Sequence, residues 1–360
     1  MHIETGRHLY GGARQVLYLL RGLKEHGVDS VLVCPEGSAI ESAAGDVARV
    51  CALPWGGDLD LAGVPRVRRL IRSESPDIVH LHSRRGADTL GALAAIATRT
   101  RVVLSRRVDN PESAVALALK YRLYDHVITI SEAIARVLSE QGVTQDRLTC
   151  VPSAVDMTEW ATPATRSELC AEFSLLESQK LVGMAAQFIP RKGHDTLIDA
   201  LRRLVDPLPE VHVLLFGKGP QQEVVQKRVE SEGLAQHVTF AGYRDDLPRW
   251  LGALDLVGHP ARREGLGVAL LQAAAAGVAI VAADAGGIPE IVRPGETGWL
   301  VPPDRAEDLA EAILEALAHP DLREARATAA REHVRKRFSI DAMTRGNLAI
   351  YQRLLGVQGQ

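Results

Sequence analysis

Eight short apolar runs, each followed by a longer amphipathic stretch, constrain this 360-residue chain more than any other feature. They are VLVC (31–34), IVHLH (78–82), RVVLS (101–105), HVITI (126–130), LVGMAA (181–186), VHVLLFG (211–217), HVTFAG (237–242) and VAIVAAD (278–284). Runs of strand length that are apolar on both faces, interleaved with helical periodicity, predict parallel sheets covered by helices on each side. Repeated βα units of this kind define the α/β class. The chain is also longer than a single hydrophobic core usually serves, which predicts two doubly wound domains. The series breaks once, in the turn-rich segment 151–178 with Pro152 and Pro163, the best linker. The boundaries expected are 1–160 and 161–339. Ligands of doubly wound sheets bind outside the carboxyl ends of the strands, so the cleft between the two domains is the expected site.

Composition removes several classes of function. Lys and Arg number 42 against 45 Asp and Glu, a net charge of −3, so no global field recruits nucleic acid. Four cysteines, Cys34, Cys51, Cys150 and Cys170, lie in apolar surroundings without metal-ligand spacing and read as free thiols of a reducing compartment. The opening MHIETGRHLYGG has charge and glycine where a signal peptide has an apolar core. The alanine-rich stretch 273–283 is too short to span a bilayer. A cytoplasmic protein, with at most a peripheral place on the inner membrane face, is expected.

The densest chemistry lies in HPARREGLGVALLQAAAAGVAIVAADAGGIPEIVRPGETGWLVPP (259–303). The apolar strand LDLVGH ends at Pro260, and a charged loop carrying Glu264 follows. Gly265 and Gly267 then open an alanine-rich helix that stops at Gly277. Glycines at a helix start let an anion approach backbone N–H groups, where the helix dipole favours it. A second pair, Gly286 and Gly287, follows the next strand.

This segment resembles the donor-site signature of glycosyltransferase family 4: a Glu, a Gly-x-Gly helix entry, a second acidic position eight residues on, and a small-residue helix. IPRKGHDTLIDAL (189–201), LLFGKGP (214–220), VTFAGYRDDL (238–247) and TGWLVPPDRAEDLAEAI (297–313) extend the likeness through the second half of the chain. LYGGARQV (9–16), PDIVHLHS (76–83) and ITISEAIA (128–135) extend it through the first. The resemblance implies the GT-B fold, two Rossmann-like domains facing a central cleft, with a C-terminal helix (340–356) packed back on the N-terminal domain. It implies a retaining, metal-independent enzyme with no cofactor. Such an enzyme moves a sugar from a UDP-, GDP- or ADP-sugar to a glycan or glycolipid acceptor in lipopolysaccharide or cell-surface glycan synthesis.

Laid on this chain, the resemblance makes Glu264 the contact of the transferred sugar and Lys192 and Arg191 the counter-charges of the diphosphate. Leu266, Gly267 and Val268 would bind that diphosphate through their backbone, and Gly12 would admit it from the other domain. Gly217, Tyr243 and Arg244 fall in donor and base loops. Three positions depart from the family pattern. The second acidic position is Gln272, which can still bond a ribose hydroxyl but without charge. The usual diphosphate Arg is Gln187, a role Arg191 would take over. The N-domain strand that often ends in His reads VVLSRRVDN, which places Arg106, Arg107 and Asp109, together with His82, on the acceptor side.

Rival readings stay open at this level: a non-catalytic nucleotide-sugar binder, motivated by Gln272 and Gln187, and a nucleotide-sugar epimerase of the same fold. His80 and His82 alternate along a strand, so only one is expected to face the cleft. With no third ligand beside them, no metal site is expected. Asp58-Leu59-Asp60 mimics a metal-binding pair but sits in a Gly-rich loop far from the signature. Segment 64–74, VPRVRRLIRSE, reads as a helix with Val64, Val67, Leu70 and Ile71 on one side and Arg66, Arg68, Arg69 and Arg72 beside them. With Arg84, Arg85, Arg106 and Arg107 it forms a basic region, read either as a solvated face or as a docking surface for anionic lipid.

Overall fold

The computed structural model describes residues 1–57, 60–82, 86–96, 98–113, 117 and 119–357. The chain divides into two compact units, Met1–Ala154 with Ile340–Gln360, and Val155–Ser339.

The first unit is built on a seven-stranded sheet of β1 (His2–Ile3), β2 (Val31–Pro35), β3 (Arg49–Leu53), β4 (Ile78–Leu81), β5 (Arg101–Arg106), β6 (His126–Thr129) and β7 (Leu148–Cys150), in the order β3-β2-β1-β4-β5-β6-β7. All pairings are parallel. Chain order reverses at β1, so the β1/β4 gap is a topological switch point where the loops after the two strands diverge. The central strand β4 is buried throughout, as a strand covered on both faces must be, whereas the edge strand β3 is half exposed.

The C-terminal helix Ile340–Leu355 belongs to this unit and packs against helix Gly11–Glu25. Glycine permits the contact: a Cβ on Gly22 would stand 2.0 Å from Thr344 Oγ1, and one on Gly346 would stand 2.8 Å from Val151 Cγ1. Tyr18, Leu19, Leu23, Met343, Ile350 and Tyr351 form the shared core. Fully burying each aliphatic side chain stabilises the fold by about 1.5–3 kcal/mol.

The second unit repeats the plan with β8 (Lys180–Ala185), β9 (Val211–Phe216), β10 (Val238–Gly242), β11 (Leu256–His259), β12 (Ala279–Ala283) and β13 (Trp299–Val301), ordered β10-β9-β8-β11-β12-β13. Its switch point lies between β8 and β11, paired at Leu256↔Val182 and Val257↔Gly183. The segment expected as a linker is not slack. Trp160 is fully buried, and Thr165 and Glu168 form a reciprocal capping box on helix Arg166–Phe173. The chain crosses between units at Ala154–Val155 and again at Ser339–Ile340, and a single bridge pairs Val155 with Ser339. All four cysteines are free thiols.

Candidate active site

The β8/β11 switch point gathers the second unit's charged residues. After β8 the chain makes a 3₁₀ turn, Pro190–Lys192, closed by Gly193 at φ +75°. A Cβ at Gly193 would stand 2.0 Å from the carbonyl oxygen of Pro260, so only glycine lets this turn lie against the loop that follows β11. Across that contact Lys192 Nζ forms an ion pair with Glu264 Oε2. His259, the last residue of β11, brings Nε2 to 3.2 Å from the same oxygen. Both donors fall on Oε2, and among the described residues Oε1 accepts no protein hydrogen bond.

The electrostatics follow from burial and these partners. Glu264 is 8% exposed. Burial alone would push its carboxyl up, but the hydrogen bond from His259 and the charge of Lys192 outweigh it and hold the group well below the usual carboxylate range. Burial also lowers His259 below the ordinary histidine value despite the carboxylate beside it. A neutral ring donating from Nε2 to an ionised Glu264 satisfies both shifts, and it leaves Nδ1 buried without a partner.

Backbone contacts fix the carboxylate's loop. Gly287 N donates to Glu264 O at 3.1 Å, and a Cβ at Gly286 (φ +57°) would stand 1.8 Å from that oxygen. The glycine pair read from sequence as a phosphate loop therefore clamps the Glu264 backbone. Helix Val268–Ala275 begins at Gly267 (φ +100°) with no side-chain cap and no acidic residue in its first turn, so its leading N–H groups are open to an anion. Leu266, Gly267 and Val268 occupy this start, and Gln272 is half-buried one turn further on.

Arg191 is exposed and donates to Arg263 O at 3.3 Å. Sequence reading missed two members of the cluster, His259 and Arg262. Arg262 binds Asp195 Oδ2 at 2.6 Å, pairs with Asp304 and donates to Pro190 O at 2.9 Å, stitching the two loops together. A His closing an apolar strand five residues before the Glu was the available signal for His259. Nothing local marks Arg262, whose partners lie far off in the chain.

The remaining donor-side residues lie on neighbouring loops of the same sheet edge. Gly217 N donates to Gly242 O at 2.7 Å, and a Cβ there would stand 2.0 Å from Ala186 O. Tyr243 is exposed, with Lys218 Nζ 4.8 Å from its ring centroid. Arg244 is committed within the unit: it binds both carboxylate oxygens of Asp246 at 2.7 and 2.8 Å, pairs with Glu172 at 2.9 Å and lies over Phe173 and Trp250. Gln187 is exposed.

In the first unit the acceptor-side residues separate. His82, Arg106 and Arg107 line a cavity of about 580 Å³ at the β1/β4 switch point, and Gly12 lines it as well. Asp109 is half-buried on the segment after β5. Arg106 is 2% exposed, ion-paired to Glu112 and bonded to Asn110 O at 2.5 Å, so its charge is spent internally.

The expectation for the two strand histidines is corrected. Residues two apart share a face of a strand, and His80 and His82 both point to the same side, ring centroids 4.0 Å apart. A third histidine does accompany them, since β1 pairs His2 with His80. His2 Nδ1 lies 3.0 Å from His82 Nε2, while His80 bonds Tyr351 OH at 2.5 Å and Ser105 Oγ at 2.8 Å. Burial holds all three rings far below the ordinary histidine value, hence neutral. Their nitrogens lie within 4.8 Å of one another, the one such group among the described residues. To ligate an ion, His80 would have to give up one of its two bonds.

The carboxylate pair suggested by Asp58 and Asp60 falls partly outside the described residues. Asp60 itself accepts from Gly56 N and Gly63 N and pairs with Arg66. The basic helix spans Gly63–Glu74 and buries Val67 and Ile71. Arg68 is half-buried and donates to Leu93 O at 2.6 Å and Ala94 O at 3.1 Å. Arg69 and Arg72 are exposed, and Arg84 and Arg85 lie outside the described residues. No helix among the described residues is long and apolar enough to cross a membrane.

Known proteins agree with this arrangement. Residues 10–159 match the family described as Glycosyltransferase Family 4, and residues 166–333 match Glycosyl transferases group 1. A GDP-mannose-dependent alpha-(1-6)-phosphatidylinositol monomannoside mannosyltransferase of Mycobacterium tuberculosis is 31% identical over 77% of this chain and 76% of its own. The lipopolysaccharide core biosynthesis mannosyltransferase LpsB of Rhizobium meliloti is 27% identical over 81% of this chain and 87% of its own. HepE of Anabaena, solved with UDP and glucose, superposes with a TM-score of 0.84 at 21% identity, covering 97% of this chain and 98% of that one, a likeness of fold. With both halves matched in order and each sheet wound about its own switch point, the chain belongs to glycosyltransferase family 4 and is a GT-B glycosyltransferase related to mannosyltransferases of lipopolysaccharide and glycolipid synthesis.

Proposed function

We propose that this glycosyltransferase moves a sugar from a nucleoside-diphosphate sugar to a hydroxyl of a glycan or glycolipid, retaining the anomeric configuration and using no metal ion. The observation that carries the reading is the Lys192–Glu264–His259 cluster beside an uncapped helix start. Breaking the anomeric C–O bond builds positive charge on the sugar and negative charge on the departing diphosphate. The N–H groups of helix Val268–Ala275, with Lys192 and the exposed Arg191, are fixed in advance where that negative charge develops. Glu264 stays ionised and meets the sugar's hydroxyls through Oε1. The departing phosphate takes the acceptor's proton, so no protein base is required. Lys192 is already paired with Glu264, and the incoming phosphate must share it. That makes Arg191 the freer of the two cations and the one that substitutes for Gln187.

GDP-mannose is the first donor to try, because relatives are named for it, and UDP-glucose and ADP-glucose follow. The acceptors in the relatives' names, a phosphatidylinositol mannoside and a lipopolysaccharide core, favour a lipid-linked acceptor at the cytoplasmic membrane face, which the exposed Arg69 and Arg72 would approach. Incubation of the full chain with each labelled donor, with and without a glycolipid extract, tests the function. Label passing into the extract in an acceptor-dependent way is expected. Conversion of the donor sugar without acceptor would indicate an epimerase, and tight binding with no turnover a non-catalytic binder.

A further inference from the structure

Two groups of different kinds hold the Glu264 carboxylate. Lys192 reaches it on a flexible alkyl stem from the turn after β8, and an incoming diphosphate competes for the same ammonium. His259 reaches it from the end of β11, where pairing with Ala282 fixes the backbone and Pro260 follows at once. The imidazole is 1% exposed, and close packing leaves it little room to turn. One anchor is mobile and shared. The other is rigid.

The hydrogen bonds also place the ring's proton. An ionised Glu264 can only accept, so the 3.2 Å contact requires the proton on Nε2. Nδ1 is buried and has no partner among the described residues, so a second proton there would be a buried donor without an acceptor. The charged groups around the ring oppose one another: Glu264 favours an imidazolium, whereas Lys192 and Arg191 disfavour it. His194, the first residue of helix His194–Leu204, lies near enough for a charge on His259 to bear on it. Its own ring is stacked on Phe188 at 4.2 Å and held at about 4. With Nε2 committed to Glu264 and Nδ1 buried, His259 reaches no substrate atom and cannot carry a proton to or from one.

We infer that His259 is a positioning residue for transfer: its Nε2–H pins Glu264 Oε2, and so keeps Oε1 toward the sugar, while the diphosphate draws on Lys192. This role rests on the reading of the β8/β11 site as that of a glycosyltransferase. Without the ring, the carboxylate would follow Lys192 toward the phosphates as the nucleotide sugar binds. A neutral anchor suits the task better than a second cation. It fixes the carboxylate without offsetting the negative charge that faces the sugar's developing positive charge.

Two variants of the full chain and one spectrum test this. Leucine fills similar space without a polar group, and the glutamine amide restores an N–H near the position of Nε2. With labelled GDP-mannose and a glycolipid extract, His259→Leu should lower kcat by about 10- to 100-fold and change the KM for GDP-mannose by less than about threefold, as a misaligned group does. His259→Gln should recover most of that loss. Wild-type kcat in His259→Leu would overturn the inference, and so would a His259→Gln variant no better than His259→Leu. Should His259→Leu fail to fold, ring-nitrogen NMR of the histidine-labelled chain decides, with the His259 signal assigned by its absence from His259→Gln. It should show the neutral Nε2–H tautomer from about pH 8 to about pH 6.5, with and without GDP. An Nδ1–H tautomer, or conversion to the imidazolium in that range, would overturn the inference. Failure of the glycosyltransferase reading shows separately, as no transfer of label by the wild type from any nucleotide sugar, and the spectrum does not depend on turnover.

Discussion

The two sheets reverse chain order at equivalent points, β1/β4 and β8/β11, and furnish those points in opposite ways. In the second unit Lys192, Glu264 and Arg262 beside the switch point all have ionic partners, and glycine-to-backbone contacts lock the carboxylate's loop. In the first unit three neutral imidazoles cluster on one face of the sheet, and among the described residues the Arg107 guanidinium at the wall of a cavity makes one long hydrogen bond. One site is assembled before ligand arrives. The other is a cavity lined by residues of the first unit alone. The same βα scaffold supports both because loops, not strands, carry the polar groups.

The largest effect should come from the assembled site. Glu264→Gln keeps acceptors for Lys192 and His259 but removes the charge, and transfer should fall on the order of 10²–10³ in kcat. A steady-state assay on protein shown to be folded by circular dichroism checks it. Because Glu264 is buried and paired, Glu264→Ala cannot be assumed silent for stability. Leaving Lys192 without its partner should cost on the order of 3 kcal/mol, so the glutamine variant is the cleaner probe.

Glycine substitutions sharpen the contrast. Gly286→Ala forces a Cβ against Glu264 O from a left-handed backbone and should destabilise by on the order of 2–4 kcal/mol. Gly12→Ala meets nothing closer than Arg107 Cδ at 3.9 Å and should leave the urea midpoint unchanged. Equal losses in the two variants would erase the distinction between a locked and an open site.

Acid should act next, on both units and most on the first. His2, His80 and His82 are held far below the ordinary histidine value, and His126, His194 and His212 at about 4. Below about pH 6.5 the unfolded chain binds protons that the folded chain refuses, so stability falls as pH falls, by up to about 1.4 kcal/mol per pH unit for each ring. Glu264 acts in another window: its contribution is present above the unfolded carboxyl value and is lost only as pH drops through its depressed folded value. Because His194, His212 and the lowered His259 give the second unit the same dependence, hydrogen exchange should show both units losing protection between pH 7 and pH 5.5, most steeply where three such rings meet beside β1 and β4. The smallest effect expected is that of EDTA, which should leave the transfer rate unchanged. Strict dependence on added Mn²⁺ or Mg²⁺ would contradict the metal-free chemistry.

The sequence made the second unit's site legible because its parts are close in the chain: Glu264, Gly267 and Val268 lie within five positions, and the Pro-Arg-Lys-Gly turn reads as a unit. All eight apolar runs became strands, since full burial leaves an unbroken apolar run. The two-residue β1, the three-residue β7 and β13, and the half-exposed edge β3 carry too little apolar pattern to be read that way. The first unit's site was less legible because register, not spacing, assembles it. His2 meets His80 and His82 only through the β1–β4 pairing, and Arg106 and Arg107, adjacent in sequence, end with one charge buried in a pair and the other facing a cavity. His259 was legible in principle, but only a buried contact distinguishes it from any strand-ending histidine.

The central claim is that the β8/β11 switch point binds the donor's diphosphate, and titration of GDP and UDP into wild-type, Lys192→Ala and Arg191→Ala proteins tests it most directly. Each variant should bind at least about tenfold more weakly than wild type, the loss of one charge-assisted contact, with Arg191→Ala the more severe because Lys192 is shared with Glu264. Unchanged affinity in both variants would place the diphosphate elsewhere and contradict the account.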